Sequence, residues 1–314
     1  MKKISHFLKT TDMSQSQLGE ALELAATLKR ERGKSDFKPL AGQTWALLFH
    51  KSSTRTRVSF EVGINELGGH AMILDQKRMQ TGRGETVADT AKVMARYVHG
   101  MIIRTFEHSF VEEFAEEGGI PVVNALTDYL HPCQIVSDLL TIAERVGEPG
   151  KLLESLKGRK LVFMGDCGCN VALSLILGGA MAGMEIVLSG PEAYAPNPIV
   201  DKWLEEAGLQ KTYSFTSDPM AAAANADVVY TDVWVSMGDE AEKEQRMKEM
   251  SPYQVNGEIM AVTNPDSVFM HCLPAHEGEE VSSEVYHGPK SIVFDQAENR
   301  LHAQKAILSF LTDH

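Results

Sequence analysis

Short apolar runs alternate along the chain with segments whose apolar residues recur every three or four positions. The first pattern predicts buried strands and the second predicts amphipathic helices. The predicted strands are residues 44–49, 70–74, 100–103, 121–123, 161–164, 186–188, 213–215, 228–230 and 268–270. The predicted helices follow Ser14 or begin at 53, 86, 110, 132, 171, 200 and 220, and a last one over 298–311 follows an apolar run at 292–294. This alternation predicts parallel sheets that are covered by helices on both faces.

The segment Gly147-Glu148-Pro149-Gly150 is the clearest break in the pattern and predicts a domain boundary. A chain of 314 residues also favours two domains of roughly 150 residues each. We therefore expect an α/β protein with two doubly wound parallel-sheet domains, residues 1–147 and 148–296, joined by long helices. The C-terminal helix, residues 297–314, is expected to cross back to the first domain. In such folds ligands bind beyond the carboxyl ends of the strands.

The composition narrows the class of function. Lys and Arg total 30 against 43 Asp and Glu, a formal charge of −13, which argues against nucleic acid or an anionic membrane as the main partner. No apolar run approaches the roughly 18 residues of a membrane span. The four cysteines are too few for a disulfide scaffold, and the Cys167-x-Cys169 pair lacks the further ligands of a zinc site. We expect reduced thiols, a cytoplasmic protein and no metal.

The segment Ser53-Thr54-Arg55-Thr56-Arg57 places hydroxyls and two guanidinium groups at a predicted helix start, directly after a predicted strand. A helix N-terminus offers unpaired N–H groups and partial positive charge, and it therefore favours an anion. The hydroxyls of Ser53, Thr54 and Thr56 and the planar fork of Arg55 would complete a phosphate cradle without a glycine-rich loop. A capped, solvated first turn is the alternative for this segment taken alone.

Arg104 and the segment His131-Pro132-Cys133-Gln134 are further candidates in the first domain. Arg104 follows a strand, where it is either a surface residue or, pointing into a cleft, a group that polarises a carbonyl oxygen. His131 stands at a helix start, where the dipole disfavours its protonated form. A neutral imidazole that donates one hydrogen bond is one interpretation, and a capping or partly buried histidine is the other. Gln134, one turn on, can donate an amide hydrogen bond to the same ligand.

Two polar segments follow predicted strands of the second domain. Asp232-Val233-Trp234-Val235-Ser236-Met237-Gly238 supplies a carboxylate that suits a substrate ammonium group, or it is a solvated loop. In His271-Cys272-Leu273-Pro274 the thiol is a nucleophile, a partner of a base or a small buried hydrophobe. The turn Gly165–Asn170 lacks the glycine spacing of a dinucleotide-binding loop, so Asn170 is instead a candidate to face the cleft.

Taken in order, these segments resemble the motifs of the transcarbamoylase family along nearly the whole chain, most closely those of its ornithine-using members. The resemblance is carried by S-T-R-T-R at Ser53–Arg57, H-P-x-Q at His131–Gln134, D-x-W-x-S-M-G at Asp232–Gly238, H-C-L-P at His271–Pro274 and the closing segment Phe294–Arg300. The first two resemble motifs shared across the family, whereas the S-M-G loop with H-C-L-P points to ornithine. The alternatives are a transcarbamoylase for another amine such as putrescine, a nicotinamide-dependent oxidoreductase, and a non-catalytic protein that kept the fold.

The resemblance implies transfer of the carbamoyl group of carbamoyl phosphate to the δ-amine of ornithine, with no metal or organic cofactor. It implies that Arg104, His131, Asp232 and Cys272 are catalytic. The implied carbamoyl-phosphate ligands are Ser53, Thr54, Arg55, Thr56, Gln80, Arg104, His131, Gln134, Cys272, Leu273 and Arg300, and the implied ornithine ligands are Asn170, Asp232, Ser236 and Met237. It further implies a homotrimer in which Gln80 reaches the neighbouring subunit's site. Both arginine biosynthesis and arginine breakdown fit this chemistry.

Two positions depart from the family pattern. His50 stands where the family often has Glu, and Cys169 stands where it often has Asn. The first change is expected to alter local packing. The second keeps the neighbouring Asn170, the residue that the resemblance assigns to the amino-acid substrate.

Overall fold

The computed structural model describes residues 3–74, 84–235 and 243–312 of the chain. It divides into two compact units. The first contains the residues up to Leu140, residues 148–153 and the residues from Glu298 onward, and the second contains Thr141–Gly147 and Glu154–Ala297. Each unit is an α/β fold with a parallel sheet, which confirms the predicted fold class. Within the described residues no helix is both long enough and apolar enough to cross a membrane.

The first unit is built on a four-stranded sheet in the order β2-β1-β3-β4. Its strands are β1 (Thr44–Phe49), β2 (His70–Leu74), β3 (Gly100–Arg104) and β4 (Val122–Leu126). Its helices include α1 (Gln15–Arg30), α2 (Thr54–Glu66), α3 (Val87–Met94), α4 (His108–Gly118) and most of α5 (Pro132–Val146). Because β2 and β3 pair with opposite edges of β1, the connections that leave β1 and β3 diverge at their carboxyl ends. Such a switch point is where open α/β sheets bind ligands.

The second unit is built on a five-stranded parallel sheet in the order β7-β6-β5-β8-β9. Its strands are β5 (Lys160–Met164), β6 (Glu185–Ser189), β7 (Tyr213–Thr216), β8 (Val228–Thr231) and β9 (Val268–His271). Its helices include α6 (Asn170–Ala182), α7 (Ile199–Glu206), α8 (Pro219–Ala223), α9 (Lys243–Met250), α10 (Gly257–Ala261) and α11 (Ser283–Tyr286). The corresponding switch point lies between β5 and β8.

Close packing fixes the strands that lead to these switch points. In β3, a Cβ atom on Gly100 would lie 2.5 Å from the ring of Trp45 in β1, so only glycine fits beside that buried indole. In α6, a Cβ atom on Gly179 would overlap the Ile186 side chain of β6. Every residue of α6 after Asn170 is buried, so the helix runs through the interior of its unit. Its N-terminus is thereby held near the carboxyl end of β5.

The last helix, α12 (Val293–Phe310), begins five residues before the predicted start at 298. The apolar run at 292–294 had obscured this boundary. The Phe269 N–H donates to the Lys290 carbonyl oxygen at 2.8 Å and the Ile292 N–H donates to the Phe269 carbonyl oxygen at 3.0 Å. The chain therefore pairs briefly with β9 and turns directly into the helix. The residues of α12 from Glu298 onward belong to the first unit, as expected for a C-terminal helix that crosses back.

Helices α9, α10 and α11 were not predicted. The sequence of α9 is Lys-Glu-Gln-Arg-Met-Lys-Glu-Met, which has two apolar residues and no clear apolar stripe. Helices α10 and α11 are only a few residues long and give too short a window for a periodic pattern.

Candidate active site

The first turn of α2 presents the S-T-R-T-R segment at the carboxyl end of β1. Ser53 is the N-cap residue, and its hydroxyl oxygen accepts a hydrogen bond from the Thr56 N–H at 3.3 Å. Thr54, Arg55 and Arg57 are exposed, whereas Thr56 is buried. Since a helix N-terminus favours negative charge, this turn combines backbone donors, hydroxyls and guanidinium groups suited to an anion. The predicted strand, turn and helix start are confirmed.

Arg104 lies beside this turn because β1 and β3 are neighbouring strands. It ends β3 opposite Phe49 of β1, and the His50 N–H donates to its carbonyl oxygen at 2.8 Å. Arg104 is buried, with 8% of its surface exposed. A buried guanidinium at the carboxyl end of a strand is the arrangement required to polarise an oxygen in a cleft, and it disfavours the surface interpretation of this residue.

His131 directly precedes α5 and is also buried. Burial lowers the pKa of its imidazole well below the usual value, and the positive charges of Arg300 and Arg104 lower that pKa further. The ring is therefore neutral near pH 7. A neutral imidazole has one N–H donor and one acceptor nitrogen, so it can donate a hydrogen bond without carrying charge.

A chain of buried hydrogen bonds links α2, α5 and α12 within the first unit. Arg300 donates from Nη1 to Gln134 Oε1 at 2.5 Å and from Nη2 to Thr56 Oγ1 at 3.1 Å. Gln134 in turn donates from Nε2 to Asp138 Oδ1 at 2.8 Å. All four residues are at least nine-tenths buried. Three sequence-predicted site residues are thus brought together, although Arg300 is far from the other two in the sequence.

In the second unit, Asp232 and Cys272 follow the neighbouring strands β8 and β9. The Cys272 thiol donates to Asp232 Oδ1 at 3.0 Å, and the same carboxylate oxygen accepts the Val233 N–H at 2.8 Å. Both residues are only partly buried. The pair therefore presents an acceptor carboxylate and a thiol together at the switch-point side of the sheet, which suits recognition of an amine.

His271, the first residue of the H-C-L-P turn, holds the rest of the turn in place through hydrogen bonds. Its Nδ1 accepts the Leu273 N–H at 2.8 Å, and its Nε2 pairs with Glu280 Oε1 at 3.1 Å. The His271 N–H donates to Gln296 Oε1 at 2.9 Å. Because Nδ1 is an acceptor, Nε2 carries the proton and donates to Glu280. These contacts support Leu273 in the left-handed region at φ 59°, a conformation that a branched side chain rarely adopts.

Asn170 and Cys169 stand at the start of α6, after β5. Asn170 is the first helical residue and is partly exposed, and Cys169 is the N-cap residue. Burial raises the pKa of the Cys169 thiol well above its usual value, and the charges of Asp166 and Asp232 raise it further. Cys169 is therefore a protonated thiol. The electrostatic influence of Asp232 places that carboxylate near this turn.

Several residues that support the site were not predicted from the sequence. Asp138 and Glu280 are buried acids, and their burial is visible only in the folded protein. Arg246 of α9 donates to Asp166 Oδ2 at 2.8 Å and to the Trp234 carbonyl oxygen at 3.5 Å. It thereby ties α9 to the loops after β5 and β8. Three predicted site residues, Gln80, Ser236 and Met237, lie outside the described residues.

Within residues 3–74, 84–235 and 243–312, two sets of donor atoms lie close enough to share a metal ion. They are Asp232 with His271 and Cys272, and His276 with Glu279 and Glu280. In the first set, both ring nitrogens of His271 and the Cys272 thiol are already engaged in the hydrogen bonds described above. The expectation of no metal stays a prediction.

Comparisons with known proteins cover both units. A family model described as "Aspartate/ornithine carbamoyltransferase, carbamoyl-P binding domain" matches residues 5–144, and one described as "Aspartate/ornithine carbamoyltransferase, Asp/Orn binding domain" matches residues 157–311. The chain is 50% identical over 308 residues to a protein named ornithine carbamoyltransferase from Archaeoglobus fulgidus, covering 97% of this chain and 96% of that relative. It is also 50% identical to a protein of that name from Symbiobacterium thermophilum, covering 97% of each chain. The solved ornithine carbamoyltransferase from Pyrococcus furiosus matches with a TM-score of 0.90 and 44% identity, covering 98% of this chain and 97% of that chain.

Proposed function

Because the chain belongs to the aspartate/ornithine carbamoyltransferase family, we propose that it transfers the carbamoyl group of carbamoyl phosphate to the δ-amine of L-ornithine. The products are L-citrulline and phosphate. The observation that carries this proposal is the buried link from Arg300 to Thr56 and Gln134, which joins the anion-binding turn to the H-P-x-Q helix. Relatives that share half of the residues over nearly the whole chain carry the name of this activity.

Carbamoyl phosphate binds in the first unit in this proposal. The first turn of α2 receives the phosphate through its backbone N–H groups, through Ser53, Thr54 and Thr56, and through Arg55. Arg104 bridges the phosphate and the carbonyl oxygen. Gln134 contacts the carbamoyl NH2 group, and Arg300 closes the site behind it.

The carbonyl oxygen gains negative charge as the amine attacks. Arg104, His131 and Thr56 are the donors that meet this charge, and all three are buried. Fixed donors in a water-poor site stabilise a developing oxyanion more than water does, because they need no reorganisation during the reaction. The lowered pKa of His131 is compatible with this role, since the neutral ring keeps one N–H donor and adds no positive charge beside Arg104 and Arg300.

Ornithine binds in the second unit in this proposal. Asp232 and Cys272 contact the δ-amine, which must be neutral to attack, and Leu273 lines the reacting end. Asn170, Asp232, Ser236 and Met237 hold the amino acid. A new bond forms between the δ-nitrogen and the carbonyl carbon, and the bond from that carbon to the phosphate oxygen breaks. The nitrogen proton leaves with the phosphate.

We further propose a homotrimer in the cytoplasm that serves arginine biosynthesis. Gln80 would reach the neighbouring subunit's carbamoyl-phosphate site, and Cys272 and Leu273 would also contact this substrate. The motif resemblance supports the trimer and the contacts of Gln80, Cys272 and Leu273, whereas biosynthesis and breakdown of arginine use the same chemistry. Sedimentation of the purified protein tests the trimer, and mixing Gln80→Ala subunits with Arg55→Ala subunits tests shared sites by the recovery of activity.

The proposed activity is tested by measuring carbamoyl transfer from carbamoyl phosphate to ornithine, putrescine, lysine, N-acetylornithine and aspartate in parallel. We expect strong turnover with ornithine alone. Turnover with another amine would keep the carbamoyl-phosphate assignments and overturn those at Asp232–Gly238. A folded protein without turnover on any acceptor would overturn the enzyme proposal and favour a non-catalytic role.

A further inference from the structure

Asp138 is a buried carboxylate that lies one helical turn after Gln134 on α5. It is 0% exposed, and its Oδ1 accepts a hydrogen bond from Gln134 Nε2 at 2.8 Å. Residues four apart on a helix share one face, so the side chains meet without distortion. A buried acid is costly to place in an apolar interior unless it is paired. Because burial of Asp138 is costly, we looked for a role of its contact with Gln134 other than stabilising the fold.

The amide of Gln134 is held between one group that only donates and one that only accepts. The Arg300 guanidinium has no acceptor and donates to Oε1, whereas the Asp138 carboxylate accepts from Nε2. Rotating the amide by half a turn would place Nε2 against the guanidinium and Oε1 against the carboxylate. Both hydrogen bonds would then be replaced by repulsive contacts. The two neighbours together fix which end of the amide faces Arg300.

An amide oxygen has two lone pairs, and Arg300 uses one of those on Gln134 Oε1. We propose that Asp138 is a positioning residue, which orients the Gln134 amide so that Oε1 accepts a hydrogen bond from the NH2 group of carbamoyl phosphate. This inference rests on the proposed function, since it takes carbamoyl phosphate as the ligand. Asp138 itself does not touch the substrate.

The proposed contact recognises the nitrogen of the substrate and not its phosphate. Acetyl phosphate carries a methyl group where carbamoyl phosphate carries NH2, so it cannot donate to Gln134. A site built to accept an N–H group discriminates against an analogue that lacks it. Asp138 would thus contribute to selection of the carbamoyl group over the acetyl group.

The test compares the kcat/KM for carbamoyl phosphate with the inhibition constant for acetyl phosphate in wild type, Asp138→Asn and Asp138→Leu. We expect kcat/KM to fall about 10- to 100-fold, the factor that corresponds to losing a hydrogen bond to a charged group. The inhibition constant for acetyl phosphate is expected to stay unchanged. A merely structural role would move both constants together.

Two further variants keep the comparison specific. Ser137→Ala removes a buried hydroxyl from the neighbouring position on α5 and is expected to behave as wild type. In a Gln134→Met background, Asp138→Asn is expected to cause no further loss, because the amide that it positions is gone. Circular dichroism checks folding, and if Asp138→Leu does not fold, Asp138→Asn keeps the side-chain shape and carries the test.

The inference is overturned if Asp138→Asn leaves kcat/KM unchanged, or if both constants change equally. It is also overturned if Asp138→Asn costs as much in the Gln134→Met background as in wild type. Absence of citrulline formation by the wild-type protein would instead overturn the proposed function. Wild-type turnover with unaffected Asp138 variants would leave that function standing and remove only the role of Asp138.

Discussion

His302 provides a quantitative test of how burial controls acid stability. It lies on α12 in the first unit, is 0% exposed, and both ring nitrogens are without a hydrogen-bond partner in the described part of the chain. Burial lowers its pKa from 6.5 to about 4, and the charges of Lys305, Lys29 and Arg32 act in the same direction. Glu66 opposes them, and a Glu298 carboxylate oxygen lies 3.8 Å from Nε2.

The lowered pKa makes the folded state sensitive to acid. Between pH 6.5 and 4 the unfolded chain protonates this histidine, whereas the folded protein does not. The neutral ring therefore favours folding fully above pH 6.5, and the advantage is lost progressively as the pH falls toward 4. From pH 7 to pH 5 the loss assigned to His302 is about 2 kcal/mol of unfolding free energy.

The assay is urea unfolding at pH 7 and pH 5, at one protein concentration, for wild type and His302→Leu. We expect the unfolding free energy of the variant to fall by about 2 kcal/mol less than that of wild type between these pH values. Other buried histidines titrate in both proteins and cancel in the difference. Gln304→Leu, which replaces another buried polar side chain of α12 without removing a titratable group, is the matched control and should keep the pH dependence of wild type. An equal pH dependence in wild type and His302→Leu would refute the reasoning.

Three substitutions test the proposed site. Arg55→Ala should raise the KM for carbamoyl phosphate by about tenfold or more, since a guanidinium–phosphate contact is lost; an unchanged KM would remove Arg55 from the phosphate site. Arg104→Ala should lower kcat by about 100-fold or more, because an oxyanion donor is lost, and wild-type turnover would refute that role. Arg145→Ala, at an exposed ion pair with Asp295, is the control for both. Cys272→Ser should raise the KM for ornithine without unfolding the protein. The control Cys167→Ser should have the kinetics of wild type. Unchanged kinetics in Cys272→Ser would return Cys272 to a packing role.

The strands and the α2 cap were predictable because their signals are local. The run Thr44–Phe49 is apolar and followed by polar residues, and Ser53 offers an N-cap side chain at the required position. The same locality explains why the segments at Ser53, Arg104, Asp232 and Cys272 could be placed at the carboxyl ends of strands. The spacing of apolar residues within one short segment is enough to recognise a helix or a strand, and no contact with a distant segment needs to be known.

The contacts between distant segments were not predictable in this way. The sequence contains no local pattern that pairs Arg300 with Thr56 and Gln134, because the pairing depends on where α12 returns to the first unit. The predicted start of α12 was wrong for a related reason, since the residues before the helix pair with β9 and the chain only then turns into the helix. Arg246 was missed because α9 is too polar to be recognised as a helix.

The return of the last helix has a consequence for the order in which the two units can be completed. All of the second unit lies before residue 298, so its folding does not depend on the remaining residues. The first unit must wait for those residues, although its sheet is translated first. A released chain that is truncated after residue 297 should therefore contain a protease-resistant second unit and an unfinished first unit, and it lacks Arg300 altogether.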